Sequence, residues 1–223
     1  MTKRIIDQQP KLKLYYFDIK GKGEHIRLFC AYAGLELEDY RFSSRDEFFA
    51  LKENGTLAFG QVPLLEVDGK HQLVQTGAIL RYLAQIAGLW PSDPLLAAKA
   101  DACMAQEGDA FLGPTVVAYN SRFGIPMDDE QKKKAMETIA SDVVPTHLKN
   151  LERLLKTSST GWLAGTEEPS PADFMWYSRF VHYMAATEAY PEKLRKLEEY
   201  PLLQAFRDKV GSLEAIKEYY AKK

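Results

Sequence analysis

The chain has 223 residues, enough for one large domain or two small ones, with 46% hydrophobic and 27% charged residues, the balance of an ordinary globular protein. A formal net charge of -2 gives no general electrostatic affinity for nucleic acid or an anionic membrane. The two cysteines, Cys30 and Cys103, exclude a disulfide scaffold; they sit in apolar helical patterns with no CxxC and no metal-ligand spacing, and read as inert buried thiols with no metal site.

Residues 1–10 read as a polar leader with no signal-peptide core, and no stretch approaches the ~20 apolar residues of a membrane span. The expected compartment is therefore cytoplasmic. Leu12 to Phe17, aromatic and branched, predicts a buried strand, with Gly21 and Gly23 punctuating the turn after it. The spacing predicts a helix over Glu24–Tyr32, stopped by Gly34. Glu36–Phe42 alternates as a second strand, and Ser44 with Glu47 three residues later predicts a capped helix start. Gln61 to Val74 reads as a hairpin about Asp68-Gly69, and Gln75-Thr76-Gly77 opens a helix with Ile79, Leu80, Tyr82, Leu83 and Ile86 on its apolar stripe.

Pro91 and Pro94 mark a linker, after which only helical periods occur, over 95–118, 128–156, 171–186, 191–197 and 201–219. The expected organisation is a leader (1–10), a mixed β-α-β-α-β-β-α domain (11–88), a linker (89–94) and an all-helical domain (95–223). The fold class is α+β: a thioredoxin-like N-terminal domain and an all-α helical-bundle domain. Pro63 cannot donate to a ladder, so it belongs at an edge or special turn, where this topology commonly has a cis proline.

Five marks occur in order: Tyr16-Phe17 with Lys20-Gly21; Gln61-Val62-Pro63; Glu66-Val67-Asp68-Gly69; Gln75-Thr76-Gly77-Ala78-Ile79-Leu80-Arg81-Tyr82-Leu83; and Ser170-Pro171-Ala172-Asp173. On these, from about Lys11 to Lys217, the sequence resembles the cytosolic glutathione transferases, closest to the tyrosine-using alpha, mu, pi and sigma classes. The resemblance implies that Tyr16 donates a hydrogen bond to the thiol of glutathione, stabilising the thiolate that acts as nucleophile. Adjacent strand residues face opposite ways, so only one of Tyr15 and Tyr16 can serve.

Glutathione is implied as co-substrate, with no cofactor. Gln75 and Thr76 match the pair that grips its γ-glutamyl end, Thr76 standing at a helix start where it either caps the helix or joins free N–H groups in binding a carboxylate. Val62, before Pro63, matches the residue whose backbone pairs with the cysteinyl part, with Gln61 a polar neighbour. Lys52 matches a basic residue for the glycine carboxylate, or is an exposed helical lysine. Phe48 lies near a position where relatives place a tryptophan, or is core. Lys22 stands where relatives often carry arginine, keeping the charge without the planar fork. Asp109 is the nearest acidic residue to the one that reaches the partner subunit, Phe111 falling closer by one alignment. Phe17, Met104, Phe111, Tyr119 and Phe123 are candidates for an apolar electrophile pocket, or are plain core.

The implied partners are glutathione and a small hydrophobic electrophile, with no nucleic acid or membrane, in a homodimer where Phe49 is a candidate key into the partner. The leading function is a transferase joining glutathione to electrophiles. The alternatives are a glutathione-dependent isomerase or peroxidase, including a prostaglandin isomerase, and a non-catalytic ligandin or crystallin-like protein.

Overall fold

The computed structural model describes residues 9–183 and 197–222. Most of the expected leader and of the expected helix over 191–197 therefore lies outside the described residues. Two compact units emerge: one runs to Ser92 and takes in the chain again from Ser212, the other is Asp93–Gly211. The final segment, read from sequence as part of the helical domain, thus belongs with the sheet.

The first unit contains β1 (Leu12–Phe17), α1 (Gly21–Ala33), β2 (Glu38–Phe42), α2 (Arg45–Glu53), β3 (Leu64–Val67), β4 (His71–Val74) and α3 (Thr76–Ile86). The sheet order is β2-β1-β3-β4, β1 pairing in parallel with β2 and antiparallel with β3. The parallel pair requires the α1 crossover, and the antiparallel β3–β4 pair closes through a tight turn. Asp68 (φ 54°) and Gly69 (φ 66°) are both left-handed there, as a primed hairpin turn requires. Asp68 also ties the start of β1: its Oδ1 accepts the Lys11 N–H at 2.8 Å, and its own N–H donates to Lys11 O at 2.9 Å.

Along β1 burial alternates, with Leu12, Leu14 and Tyr16 buried and Lys13, Tyr15 and Phe17 half-exposed. Gly34 (φ 71°) ends α1 and donates its N–H to Cys30 O. Ser44 occupies the N-cap of α2 but makes no side-chain cap bond; the Glu47 carboxylate reaches back one residue further, accepting the Ser43 N–H and hydroxyl. The expected cap is displaced because Ser43 offers two donors to the same oxygen.

The second unit is built from α4 (Pro94–Ala118), α5 (Asp129–Thr138), α6 (Val144–Thr157), α7 (Pro171–Ser178) and α8 (Pro201–Gly211). Asp93 caps α4 by accepting the Leu96 N–H at 2.8 Å, with Pro94 opening the helix. The helical run expected over 128–156 is α5 and α6 joined by a π-turn at Ile139–Val143, just before Pro145, which has no N–H to give. Asp173 collects three donors at the start of α7: Ser170 N–H (2.7 Å), Ser170 hydroxyl (2.9 Å) and Leu163 N–H (2.9 Å). Trp176 donates to Cys103 O at 2.9 Å, and a buried Arg179–Glu107 ion pair links the π-turn after α7 to α4.

The helix expected over 201–219 is two helices, α8 and then α9 (Glu214–Ala221), which packs on α1. Leu213 is extended at the N-cap of α9 (φ -60°, ψ 129°), and that residue breaks the run.

Candidate active site

One row of the sheet fixes the site. Tyr15 of β1 stands opposite Leu64 of β3, and Leu64 stands opposite Val74 of β4. The C-terminal end of β1, the approach to β3 and the exit from β4 therefore lie at the same end of the sheet. Strands ≈ 4.8 Å apart place Tyr16, Val62-Pro63 and Gln75-Thr76 there side by side.

Tyr16 faces the first turn of α1 and is 8% exposed. Its hydroxyl oxygen accepts the Lys22 N–H at 3.0 Å. A Cβ on Gly21 would stand 2.6 Å from that oxygen, and one on Gly23 would stand 2.7 Å from ring Cδ1. The two glycines, read from sequence as turn punctuation, thus make the seat of the phenol, and Gly21 is also left-handed (φ 43°). Lys22 contributes to the seat through its backbone; its side chain is exposed.

Tyr15 points to the opposite face. Its ring lies 5.1 Å from that of Tyr40, its hydroxyl donates to Glu66 at 3.5 Å, and burial, then the Glu66 charge, raises its phenol above the ordinary value.

The Val62–Pro63 peptide is cis. Val62 precedes β3, and no internal hydrogen bond engages its backbone among the described residues. Gln75, exposed, is the N-cap of α3 at φ 74° and ψ 116°, which side chains rarely adopt and which functional sites often retain. Thr76 is buried in the first helical position, so it is not the cap, and no side-chain bond caps α3. The N–H groups of that first turn remain available to an anion. Lys52 is exposed in the last turn of α2, its stem over Gly60, where an added Cβ would meet Cε at 3.1 Å. That places the lysine beside Gln61.

Phe17 joins Phe42 (5.5 Å between centroids) and Phe48 (5.3 Å) in an aromatic cluster next to Tyr16. The other candidates belong to the helical unit. Met104 and Phe111 are core side chains, the Phe111 ring lying 4.4 Å from the Arg179 guanidinium; Asp109, Tyr119 and Phe123 are exposed. A cavity of about 340 Å³ in that unit opens beside Cys103, Leu151, Leu154 and Leu163 and includes none of these candidates. Burial pushes the Cys103 thiol up to about 12 and that of Cys30 higher still, so neither is a thiolate at neutral pH.

Sequence reading missed the support beneath Tyr16. Arg27 and Glu24 are buried on α1 and paired at 3.3 Å. Arg27 also bonds Asp39 of β2 at 2.8 Å and donates to Ile19 O at 3.0 Å. The available signal was an i,i+3 Glu–Arg pair in a helix with apolar residues all round.

Residues 12–85 match the family model for the glutathione S-transferase N-terminal domain, and 120–223 that for the C-terminal domain. The chain belongs to the glutathione transferase family. This transferase is 34% identical to a glutathione S-transferase of Anopheles gambiae, over 96% of this chain and 97% of that one. It is 33% identical to the hematopoietic prostaglandin D synthase of Gallus gallus, with the same coverage of both. Among solved structures, prostaglandin synthase D of Nilaparvata lugens superposes with a TM-score of 0.81 at 30% identity, covering 96% of this chain and 98% of that one.

Proposed function

We propose that this glutathione transferase forms the thiolate of glutathione with Tyr16 and adds it to a small hydrophobic electrophile. The observation that carries the reading is the seat of Tyr16: a buried phenol at the end of β1, its oxygen held by the Lys22 N–H. A donor on that oxygen makes the phenol O–H a better donor to sulfur, which stabilises the thiolate and lowers the thiol pKa. The thiol proton leaves to solvent. The sulfur lone pair then attacks the electrophilic carbon, and the leaving group, chloride in an aryl chloride, departs with its bonding pair.

In this reading the backbone of Val62 aligns the cysteinyl part, with Gln61 beside it. Gln75, Thr76 and the open turn of α3 take the γ-glutamyl carboxylate, and Lys52 takes the glycine carboxylate. Phe17, whose ring centroid lies 5.8 Å from that of Tyr16, is the apolar side chain assigned to the electrophile. The protein works in the cytoplasm as a homodimer, with Phe49, 46% exposed on α2, entering the partner and Asp109 reaching the partner's glutathione. No helix among the described residues is long and apolar enough to cross a membrane, which fits that compartment.

The test is conjugation of chlorodinitrobenzene by wild type, Tyr16→Phe and Tyr15→Phe. Loss confined to Tyr16→Phe supports the reading; loss confined to Tyr15→Phe refutes it. Similarity to two proteins named as prostaglandin D synthases favours a second reading, glutathione-dependent isomerisation at the same site. Formation of prostaglandin D by the wild type, lost in Tyr16→Phe, would support that reading.

A further inference from the structure

The turn that seats Tyr16 is held from a second strand. In β2, Asp39 and Arg41 stand beside Leu14 and Tyr16 of β1, and being two residues apart they share one face of the sheet. The Asp39 carboxylate is divided between two guanidinium groups. Its Oδ1 accepts a bond from Arg27 Nε of α1 at 2.8 Å, and its Oδ2 one from Arg41 Nε at 2.9 Å.

Each arginine grips the turn between β1 and α1. Arg41 Nη1 donates to the Asp18 carboxylate at 2.7 Å, while Arg27 Nη1 donates to Ile19 O at 3.0 Å and Lys20 O at 3.4 Å. Asp18, Ile19 and Lys20 are thus fixed in succession, and two residues on the Lys22 N–H meets the Tyr16 oxygen at 3.0 Å. The Arg27 guanidinium also lies 5.8 Å from the Tyr16 ring centroid. The other titratable groups around the pair are Glu24 of α1, 3.3 Å from Arg27, and the Tyr219 phenol of α9, which burial first and then the Glu24 and Asp39 charges keep protonated.

The geometry points to Asp39 as a positioning residue for Tyr16, acting through Arg27 and Arg41 on the turn that brings the Lys22 N–H to the phenol oxygen. The inference rests on the reading of Tyr16 as the donor to the glutathione sulfur. An asparagine at position 39 keeps the shape but has one acceptor oxygen and one donor nitrogen. Its NH2 group would face the N–H of one arginine or the other, donor against donor, so one guanidinium must let go. The turn then loses a grip, the Lys22 N–H drifts from the phenol oxygen, and the bound thiol becomes a weaker acid. Charge alone works the other way: removing an anion stabilises a nearby thiolate and makes the thiol a stronger acid. The sign of the change therefore separates positioning from through-space electrostatics.

The experiment titrates the thiolate absorbance of bound glutathione in wild type, Asp39→Asn and Arg27→Lys, with steady-state conjugation of chlorodinitrobenzene alongside. The Asp39 side chain is 27% exposed and asparagine matches its shape, so that variant folds; Arg27→Lys keeps the charge but has no fork to reach Asp39 and the turn together. Both variants should raise the bound thiol's pKa by about half a unit or more, roughly a threefold weaker acid. Turnover at neutral pH should fall accordingly, while the KM for glutathione stays within about twofold of wild type, the scatter of ordinary surface changes. An unchanged or lower thiol pKa in Asp39→Asn would overturn the inference, and so would a loss of activity carried by KM alone. A wild-type thiol that titrates like free glutathione would overturn the reading of Tyr16, and this inference with it.

Discussion

An alanine at position 23 would bring its Cβ to 2.7 Å from the Tyr16 ring and 3.1 Å from Arg27 Nη1, so ring and guanidinium would both have to move. Gly23→Ala is expected to lower chlorodinitrobenzene conjugation by about tenfold to a hundredfold, the range a misplaced reacting group produces, while leaving the circular dichroism spectrum unchanged. Wild-type rates in that variant would mean that the seat of the phenol is irrelevant to activity. Alternation along β1 made it legible that only one of Tyr15 and Tyr16 can enter a site. Which face α1 covers is a tertiary fact, decided by the packing of Tyr16 on Gly21 and Gly23. Glu24 and Arg27 looked like ordinary helical charges because what Arg27 reaches, Asp39 on β2 and the Ile19 carbonyl ahead of α1, lies on other elements.

The hairpin about Asp68-Gly69 was legible because its turn chemistry is local, and both residues do take positive φ. The break between α8 and α9 was not, since the apolar spacing that buries Phe206, Val210 and Ile216 runs through it. Gly108, inside α4, has no heavy atom within 4 Å of an added Cβ. Gly108→Ala should therefore stabilise the protein by about 0.5–1 kcal/mol, read as a higher denaturant midpoint. At the start of α7, burial pushes the Asp173 carboxyl up to about 6 from 3.8, with its three hydrogen bonds opposing the shift. The folded chain thus keeps a proton there that the unfolded chain has released. Its contribution to stability is largest below about pH 4, falls as pH rises to about 6, and is level above. The difference in Tm between wild type and Asp173→Asn should follow that course; a difference constant from pH 4 to 7 would contradict it.

At the scale of the whole molecule, the two-part organisation could be read from the change at Pro91–Pro94, but the return of the chain to the first unit at Ser212 could not. No local pattern says which surface α9 will cover. Assembly belongs to this scale too. Sedimentation at micromolar concentration should give a dimer for the wild type and a shift toward monomer for Phe49→Ser; a monomeric wild type would remove the proposed role of Phe49. The central claim concerns a single proton. A hydrogen bond to a charged group contributes about 1.5–3 kcal/mol, which corresponds to about one to two pKa units. The ultraviolet absorbance of the thiolate, titrated against pH with glutathione bound, reads that quantity directly. In the wild type the bound thiol should titrate about one unit or more below free glutathione, and in Tyr16→Phe it should return toward the free value. Equal pKa values for the bound thiol in the two proteins would contradict the assignment of Tyr16.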